Sequence, residues 1–133
     1  KIVCAIHSGW LGTVRQIVDH TIRYLIEKEN CNPKEMYCLI GPCLSKKHLE
    51  VQDDVINQVK KMNFDTSPFY QKTDETHYLL DNKGLNKQQL LNLGVLEENI
   101  QVSSYCTNEN NDLFFSHRVN HDGQRNVTII KRK

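Results

Sequence analysis

The sequence lacks an excess of charge of either sign, and this absence argues against partners that bind through a strong electrostatic field. Its 17 basic and 16 acidic residues give a net charge of +1. The chain therefore carries no one-sign field of the kind that drives non-specific binding to nucleic acid or to a membrane surface. The basic run Lys131, Arg132 and Lys133 is short, and we expect it to be solvated. We expect no nucleic-acid partner and no membrane partner.

Long apolar runs and paired cysteines are also missing. No stretch of about 18 apolar residues is present, so we expect no membrane-spanning helix, and no signal-peptide pattern is found. The cysteines number five and form no C-x-x-C pair (Cys4, Cys31, Cys38, Cys43 and Cys106). An odd number of unpaired cysteines favours free thiols in a reducing compartment. We therefore expect a cytoplasmic protein.

The sequence does contain apolar segments of two kinds that follow one another along the chain. Continuous apolar runs typical of buried strands occupy residues 2–6, 36–40, 78–80, 100–104 and 127–130. Helical spacing of apolar residues occupies 13–29, where Thr13 and Gln16 fit a capping box, then 50–62 and 86–93, with Gly94 as the helix stop. Residues 63–75 are expected to form a loop. This order predicts an α+β fold of mixed β-sheet layers with flanking helices.

The first candidate site is the segment from His7 to Gly12, where an apolar run ends in a histidine close to a predicted helix start. Histidine is a general acid, a general base or a metal ligand. Gly9 and Gly12 let a backbone approach a ligand closely, and unpaired N–H groups at a helix start attract anions. A plain turn with a structural histidine explains the same spacing, so both interpretations stay open.

Two further clusters carry reactive side chains. Cys43 follows the Gly41-Pro42 turn and is either a nucleophile or a small buried side chain. In Phe114-Phe115-Ser116-His117-Arg118, the arginine is a candidate anion clamp. His117 and His121 would chelate a metal only on a helix, and the sequence at 120–123 indicates a turn instead. We expect His20 and His48 to be solvated, and His77 gives no signal.

Taken together, four segments resemble the laccase-domain family. His7-Ser8-Gly9-Trp10-Leu11-Gly12-Thr13 is similar to the family segment H-A/S-G-W-R-G-T. Ile40-Gly41-Pro42-Cys43-Leu44-Ser45 with Glu50-Val51 is similar to I-G-P-C-I-S…Y-E-V. The third segment is Leu80-Asp81, Asn86-Lys87-Gln88-Gln89-Leu90 and Gly94-Val95, and the fourth is Cys106-Thr107, Phe114 to Arg118 and Arg125. They follow the family's order and cover nearly the whole chain.

The resemblance implies a zinc-dependent purine nucleoside phosphorylase, a family first named for polyphenol oxidoreductase activity. Its substrates would be phosphate and a purine nucleoside, adenosine or inosine, with adenosine deamination and methylthioadenosine phosphorolysis as related activities. By motif match, His7 is the metal ligand and catalytic residue. The match also places a set of residues on the substrate side: Gly9, Trp10, Gly12, Ser116, His117 and Arg118.

The same resemblance implies that residues 1–133 are the C-terminal portion of a single laccase-like domain. The family holds its metal with two histidines and one cysteine, and the other two ligands lie in upstream segments, V-H-G and A-D-C. A catalytic zinc needs about three protein ligands, and His7 is one of them. Cys4, Cys43 and Cys106 do not match the ligand cysteine. We therefore expect the isolated chain to bind zinc poorly and to show no phosphorolysis.

Departures from the family pattern keep alternatives open. Leu11 and Val119 stand where the family has arginines, and Gln124 stands where it has glycine. One alternative is a noncatalytic remnant or partner subunit that complements a separate N-terminal half, marked by an exposed apolar surface near residues 2–6 and the second strand; a homo-oligomer is a further arrangement. Another is a copper-dependent polyphenol oxidase, which would need more His and Cys ligands. A cysteine hydrolase is the third.

Overall fold

The structure is a computed structural model that describes residues 1–132. Its elements follow the chain in the order α1 (Trp10–Val14), α2 (Ile17–Glu27), β1 (Cys38–Ile40), β2 (Glu50–Gln52), α3 (Asp53–Val59), β3 (Tyr70–Lys72), β4 (His77–Leu80), α4 (Asn82–Asn92), β5 (Ile100–Val102) and α5 (His117–Asn120). This is an α+β fold, as the sequence predicted. Across residues 1–132 no helix combines the length and the apolar character that crossing a bilayer requires.

The strands form one parallel and one antiparallel sheet. Strand β1 pairs with β5 in parallel, with Cys38 opposite Ile100. Strand β4 lies between β2 and β3 in an antiparallel sheet of three strands, with Val51 of β2 opposite Tyr78 of β4. The mixed sheet layers expected from the sequence are therefore present.

Two apolar clusters make the core. The first packs α3 and α4 against the three-stranded sheet around Ile56, Val59, Leu80 and Leu85, which have no exposed surface. The second joins α2, α4 and the β1–β5 pair around Val18, Ile22, Leu90, Val95 and Ile100. Burying one such side chain contributes about 1.5–3 kcal/mol. Because α4 contributes to both clusters, it connects the two sheets.

A closed ring of hydrogen bonds attaches the N-terminal segment to α4. The Ser8 hydroxyl donates to Asn86 Oδ1 at 2.7 Å, and Asn86 Nδ2 donates to Thr13 Oγ1 at 2.9 Å. Ser8 Oγ and Thr13 Oγ1 lie 2.9 Å apart, so the Thr13 hydroxyl closes the ring by donating to Ser8. Each hydroxyl donates once and accepts once. Since Thr13 and Asn86 are buried, losing one member leaves the others unsatisfied.

Other side chains of α4 extend this attachment. Asn82 Nδ2 donates to the Ser8 carbonyl at 3.0 Å. Gln89 Oε1 accepts from the Asp19 backbone N–H at 3.1 Å, and Gln89 Nε2 donates to the Thr13 carbonyl at 3.4 Å. The amide side chains of the family segment around Asn86 and Gln89 therefore hold α1 and the start of α2.

The prediction of one helix over residues 13–29 is wrong, because the structure has two helices there, α1 and α2. The chain breaks at Gln16, whose φ of 56° is left-handed. Such a backbone costs a residue other than glycine roughly 1–2 kcal/mol, and Gln16 Oε1 accepts a hydrogen bond from the Asn63 N–H across the break. The predicted capping box is also wrong, since the Thr13 hydroxyl belongs to the ring and lies inside α1.

Helix and strand bounds elsewhere shift for local reasons. Helix α4 begins at Asn82, earlier than the predicted 86, because Asp81 Oδ1 caps it by accepting from the Gly84 N–H at 2.9 Å. Gly94 follows it with φ of 88°, as expected for a helix stop. The predicted helix at 50–62 is strand β2 followed by α3, and the predicted loop at 63–75 contains β3. The expected strands at 36–40, 78–80 and 100–104 are present as β1, β4 and β5.

Two expected strands are wrong. Residues 2–6 and 127–130 are not paired with any strand in the described chain. Their side chains face solvent, with Ile2 50% and Ile129 87% exposed. An apolar run becomes a strand only when a neighbour satisfies its N–H and C=O groups, and no such neighbour lies within residues 1–132.

We predict that Asn86→Ala lowers the free energy of unfolding by about 2–3 kcal/mol, because it removes both ring bonds of the buried Asn86 and leaves the part-buried Ser8 and the buried Thr13 with only their bond to each other. Urea unfolding of the 133-residue chain measures the change. The control Gln88→Ala lies on the same helix and breaks an exposed contact to Asn92, so it should change stability by less than about 0.5 kcal/mol. Equal losses in the two variants would contradict a stabilising role for the ring.

Candidate active site

The His7 imidazole lies at the surface, directly before α1. The side chain is exposed, and a Cβ placed on Gly9 would lie 3.4 Å from His7 Nε2. A Cβ placed on Gly12 would lie 3.3 Å from the His7 carbonyl oxygen. Both glycines therefore sit where the backbone folds closely over His7, and a side chain at Gly12 would force a shift in the turn.

Trp10 and Arg118 line one cleft, which brings two of the predicted site segments together. Its volume is about 310 Å³. The wall consists of Trp10, Glu50, Val51, Gln52, Asp54, Val55, His77 and Arg118. Trp10 is 38% exposed, so part of the indole is open to a ligand. A larger depression of about 410 Å³ along α2 is lined by Arg15, Ile17, His20, Thr21 and Tyr24, and none of these is a predicted site residue.

The backbone of strand β2 holds the Arg118 guanidinium. Arg118 Nη2 donates to the Glu50 carbonyl oxygen at 2.9 Å, which leaves its other N–H groups for a ligand. Ser116 is buried and precedes α5, where its backbone N–H donates to Asn120 Oδ1 at 2.8 Å. His117 is exposed at the start of α5. Of the predicted substrate residues Ser116, His117 and Arg118, Arg118 lines the cleft.

His117 and His121 lie closer together than the predicted turn suggests. Residues His117–Asn120 form α5, and His121 follows with a left-handed φ of 51°. The ring centroids are 5.7 Å apart at an interplanar angle of 66°. The two rings contact each other edge to face, and they belong to no group of three metal-binding side chains in the described residues.

His77 is the cleft residue that the sequence did not indicate. Its Nδ1 lies 2.9 and 3.0 Å from the two Asp74 carboxylate oxygens. The hydrogen bond to Asp74 raises the pKa of His77. The Asp74 pKa is lowered, first by the Thr76 backbone N–H and then by His77. Asp74 Oδ1 also accepts from the Thr76 and His77 N–H groups and closes a turn. The D-x-x-H spacing of such a turn was the only local sequence signal for His77.

The charges around the cleft are mixed. Arg118 supplies positive charge, to which His77 adds when it is protonated, and Glu50 and Asp54 supply negative charge. A site built only for phosphate would concentrate cations. A mixed wall beside an indole face suits a ligand that combines a flat ring with hydrogen-bond donors and acceptors.

The described residues alone do not fit a three-ligand zinc site at His7. The structure places three metal-binding side chains together at one position in residues 1–132, and that group is His48, Cys106 and Glu109. His7 is not part of it. A single imidazole does not supply the three protein ligands of a catalytic zinc.

The thiol environments separate Cys106 from Cys43. Burial raises the pKa of Cys43, which disfavours the nucleophile interpretation of that residue. Burial also raises the pKa of Cys106, but hydrogen bonding by Ser45, Glu109 and Asn108 around the sulfur outweighs it, and the pKa is about 7. His48, expected to be solvated, instead contacts Glu109 Oε1 through Nε2 at 2.9 Å.

The comparisons with known proteins agree with these motifs. The model of the multi-copper polyphenol oxidoreductase laccase family matches residues 1–133. The chain belongs to this family. The resemblance inferred from the four motifs is therefore confirmed.

Named relatives and solved structures extend this result. The chain is 37% identical over 118 residues to "Purine nucleoside phosphorylase YlmD" of Bacillus subtilis, covering 89% of this chain and 42% of the relative. It is 34% identical to a purine nucleoside phosphorylase of Staphylococcus epidermidis, covering 96% and 47%. The hypothetical protein YfiH of Bacillus licheniformis superposes with a TM-score of 0.82 at 33% identity, covering 84% and 42%. YlmD from Geobacillus stearothermophilus gives 0.78 at 35% identity, with the same coverage.

The chain spans less than half the length of the curated relatives it matches. The family is associated with metals, and the fold matches its solved members across most of this chain.

We predict that Asp74→Asn returns the raised pKa of His77 towards its ordinary value near 6.5. Because the pKa of His77 is raised in the folded state, the contact with Asp74 stabilises the fold fully at pH values below the ordinary pKa of histidine. This stabilisation is lost as the pH rises through the pKa that His77 has in the folded chain. The lowered pKa of Asp74 acts in the opposite direction, since its contribution is lost as pH falls through the folded value. An NMR titration of the His77 ring measures the shift.

The matched control is Glu75→Gln, which removes the neighbouring exposed carboxylate. The His77 titration should stay where it is in the unsubstituted chain. If Glu75→Gln lowered the pKa of His77 as much as Asp74→Asn, general surface charge rather than the Asp74 hydrogen bond would be the cause.

Proposed function

We propose that this chain provides the substrate cleft and one metal ligand of a purine nucleoside phosphorylase. The observation that carries the proposal is the shared cleft of Trp10 and Arg118, which joins the first and last family segments. Relatives that match over most of this chain are named purine nucleoside phosphorylases, and this supports the same substrate class here. The proposed substrates are inosine or adenosine with phosphate.

The cleft residues have chemistry that suits a purine nucleoside. The open part of the Trp10 indole offers a flat surface for a purine ring. Gln52, Glu50 and Asp54 offer donors and acceptors for the edges of the base and for ribose hydroxyls. Arg118, held by the Glu50 carbonyl, is the group we assign to phosphate, because a fixed guanidinium matches the geometry of phosphate oxygens.

The remaining predicted residues have supporting roles in this proposal. Gly9 and Gly12 keep the backbone close to His7, and His117 lies on the exposed side of α5, next to Arg118. Ser116 is buried, and at the start of α5 its backbone N–H donates to Asn120 Oδ1. His7 is proposed as one zinc ligand, with the other two ligands supplied by the V-H-G and A-D-C segments that the family resemblance implies.

A second candidate function is supported by the exposed apolar side chains that the docking alternative expected. Ile2, Val3 and Ile6 are 50%, 43% and 36% exposed, and Leu39 on β1 is 68% exposed. Apolar residues exposed in a contiguous stretch favour a protein–protein contact. This supports a chain that docks with a separate N-terminal half, and the two candidate functions are compatible if docking completes the active site.

We predict that inosine quenches the fluorescence of the 133-residue chain, which has one tryptophan, Trp10. Arg118→Ala should weaken the binding of inorganic phosphate, followed by the same signal, by about tenfold or more, because a hydrogen bond to a charged group is worth about 1.5–3 kcal/mol. The control Arg15→Ala removes an arginine outside the cleft. Equal binding by the Arg118→Ala and unsubstituted chains would exclude Arg118 from the phosphate site.

We also predict phosphate-dependent release of hypoxanthine from inosine when the chain is mixed with a polypeptide that carries the V-H-G and A-D-C segments in the presence of zinc. The 133-residue chain alone should release none, and His7→Ala should abolish release by the mixture. His20→Ala is the control, since His20 is exposed on α2. Turnover by the chain alone would contradict the proposal, and copper-dependent oxidation of a phenol by the mixture would favour the oxidase alternative.

A further inference from the structure

We propose that His48, Cys106 and Glu109 form a second binding site, distinct from His7, for a divalent cation of the zinc class. One ligand atom from each side chain lies within 4.8 Å of the others. The three residues come from two separate loops, the turn before β2 and the segment after β5, so the fold rather than the local sequence brings them together. Sulfur, imidazole nitrogen and carboxylate oxygen are the ligand types that zinc uses in proteins.

The separations are close to those of a tetrahedral zinc centre. With zinc bonds of about 2.0–2.3 Å, neighbouring ligand atoms lie roughly 3.5 Å apart. His48 Nε2 and Glu109 Oε1 are now 2.9 Å apart and share a hydrogen bond. A cation would replace the shared proton and separate these two atoms by about half an ångström, while the sulfur approaches. Small movements of side chains are enough.

Backbone contacts already orient the sulfur. The Ser45 N–H donates to Cys106 Sγ at 3.3 Å. The backbones at Cys43 and Cys106 form an isolated parallel β-bridge, in which the Thr107 N–H donates to the Cys43 carbonyl at 3.2 Å. Hydrogen bonds of this kind support ligand sulfurs from outside the coordination sphere. The loop that carries His48 and the loop that carries the thiol are therefore attached to each other before any cation binds.

The exposure of the three side chains gives a cation a path from solvent. Cys106 is 1% exposed, whereas the side chains of His48 and Glu109 are 25% and 47% exposed. The sulfur thus closes the inner side of the site, and the outer side is open to a water as fourth ligand. Lys47 Nζ lies 3.6 Å from Glu109 Oε1, and its positive charge opposes cation binding.

Cobalt titration of the metal-free 133-residue chain tests the site, with zinc then added as competitor. We expect one Co²⁺ per chain, bound at His48, Cys106 and Glu109 rather than at His7, with a thiolate-to-cobalt charge-transfer band that zinc removes. This result would revise the expectation from the sequence that the isolated chain binds zinc poorly. His48→Asn should weaken zinc binding by at least about tenfold, since loss of a supporting outer contact alone costs that much in other sites. Cys106→Ser should abolish the band. Lys47→Gln should tighten binding by roughly two- to fivefold, as expected for one exposed charge pair.

Controls separate this site from His7 and from the other thiols. His7→Asn and Cys31→Ser should keep both the charge-transfer band and the zinc affinity. Cys106 is buried, so Cys106→Ser is checked for folding by circular dichroism. His48, whose side chain is partly exposed, provides a test that does not depend on that variant. A chain without the band, or one in which His7→Asn rather than His48→Asn removes binding, would overturn the proposal.

Discussion

The ring of hydrogen bonds among Ser8, Thr13 and Asn86 is the interaction on which the rest of the site depends. It joins residues at opposite parts of the chain and leaves each hydroxyl fully used. With the ring in place, α1 has one position against α4, and its first residue, Trp10, is carried into the cleft. The N-terminal segment therefore has two kinds of residue. Ser8 and Thr13 face inwards and hold it, whereas His7 and Trp10 face outwards and are available to ligands.

The cleft joins elements that meet only in the folded chain. Strand β2 contributes the Glu50 carboxylate on the wall and the carbonyl that holds Arg118, and α3 contributes the Asp54 carboxylate. The arginine side chain thus depends on a backbone atom, which does not change with pH or with substitution of the Glu50 side chain. On the neighbouring strand, the hydrogen bond to Asp74 raises the pKa of His77. One cation of the cleft is permanent, and the other varies with pH.

Elements with strong local patterns could be predicted from the sequence, and contacts between distant residues could not. The four-residue strand at β4 and the helix around Asn86 followed from apolar spacing. The break at Gln16 did not, because Asn63 and Asn86, the residues that contact Gln16 and Thr13 around the break, lie far away in the sequence. The sequence indicated Trp10 and Arg118 by motif alone. No local pattern indicated the group of His48, Cys106 and Glu109. The loops that carry His48 and Glu109 are brought together by the backbone β-bridge between Cys43 and Cys106.

The parallel pair β1–β5 has a consequence for the chain in concentrated solution. In residues 1–132 each of these strands has a single strand neighbour, so the backbone groups on its outer side have no strand partner there. Leu39 on β1 also has an exposed apolar side chain. Such an edge is a template for strand addition by any similar chain. Edge-to-edge self-pairing would then compete with a correct partner, and the yield of well-behaved protein would fall as concentration rises.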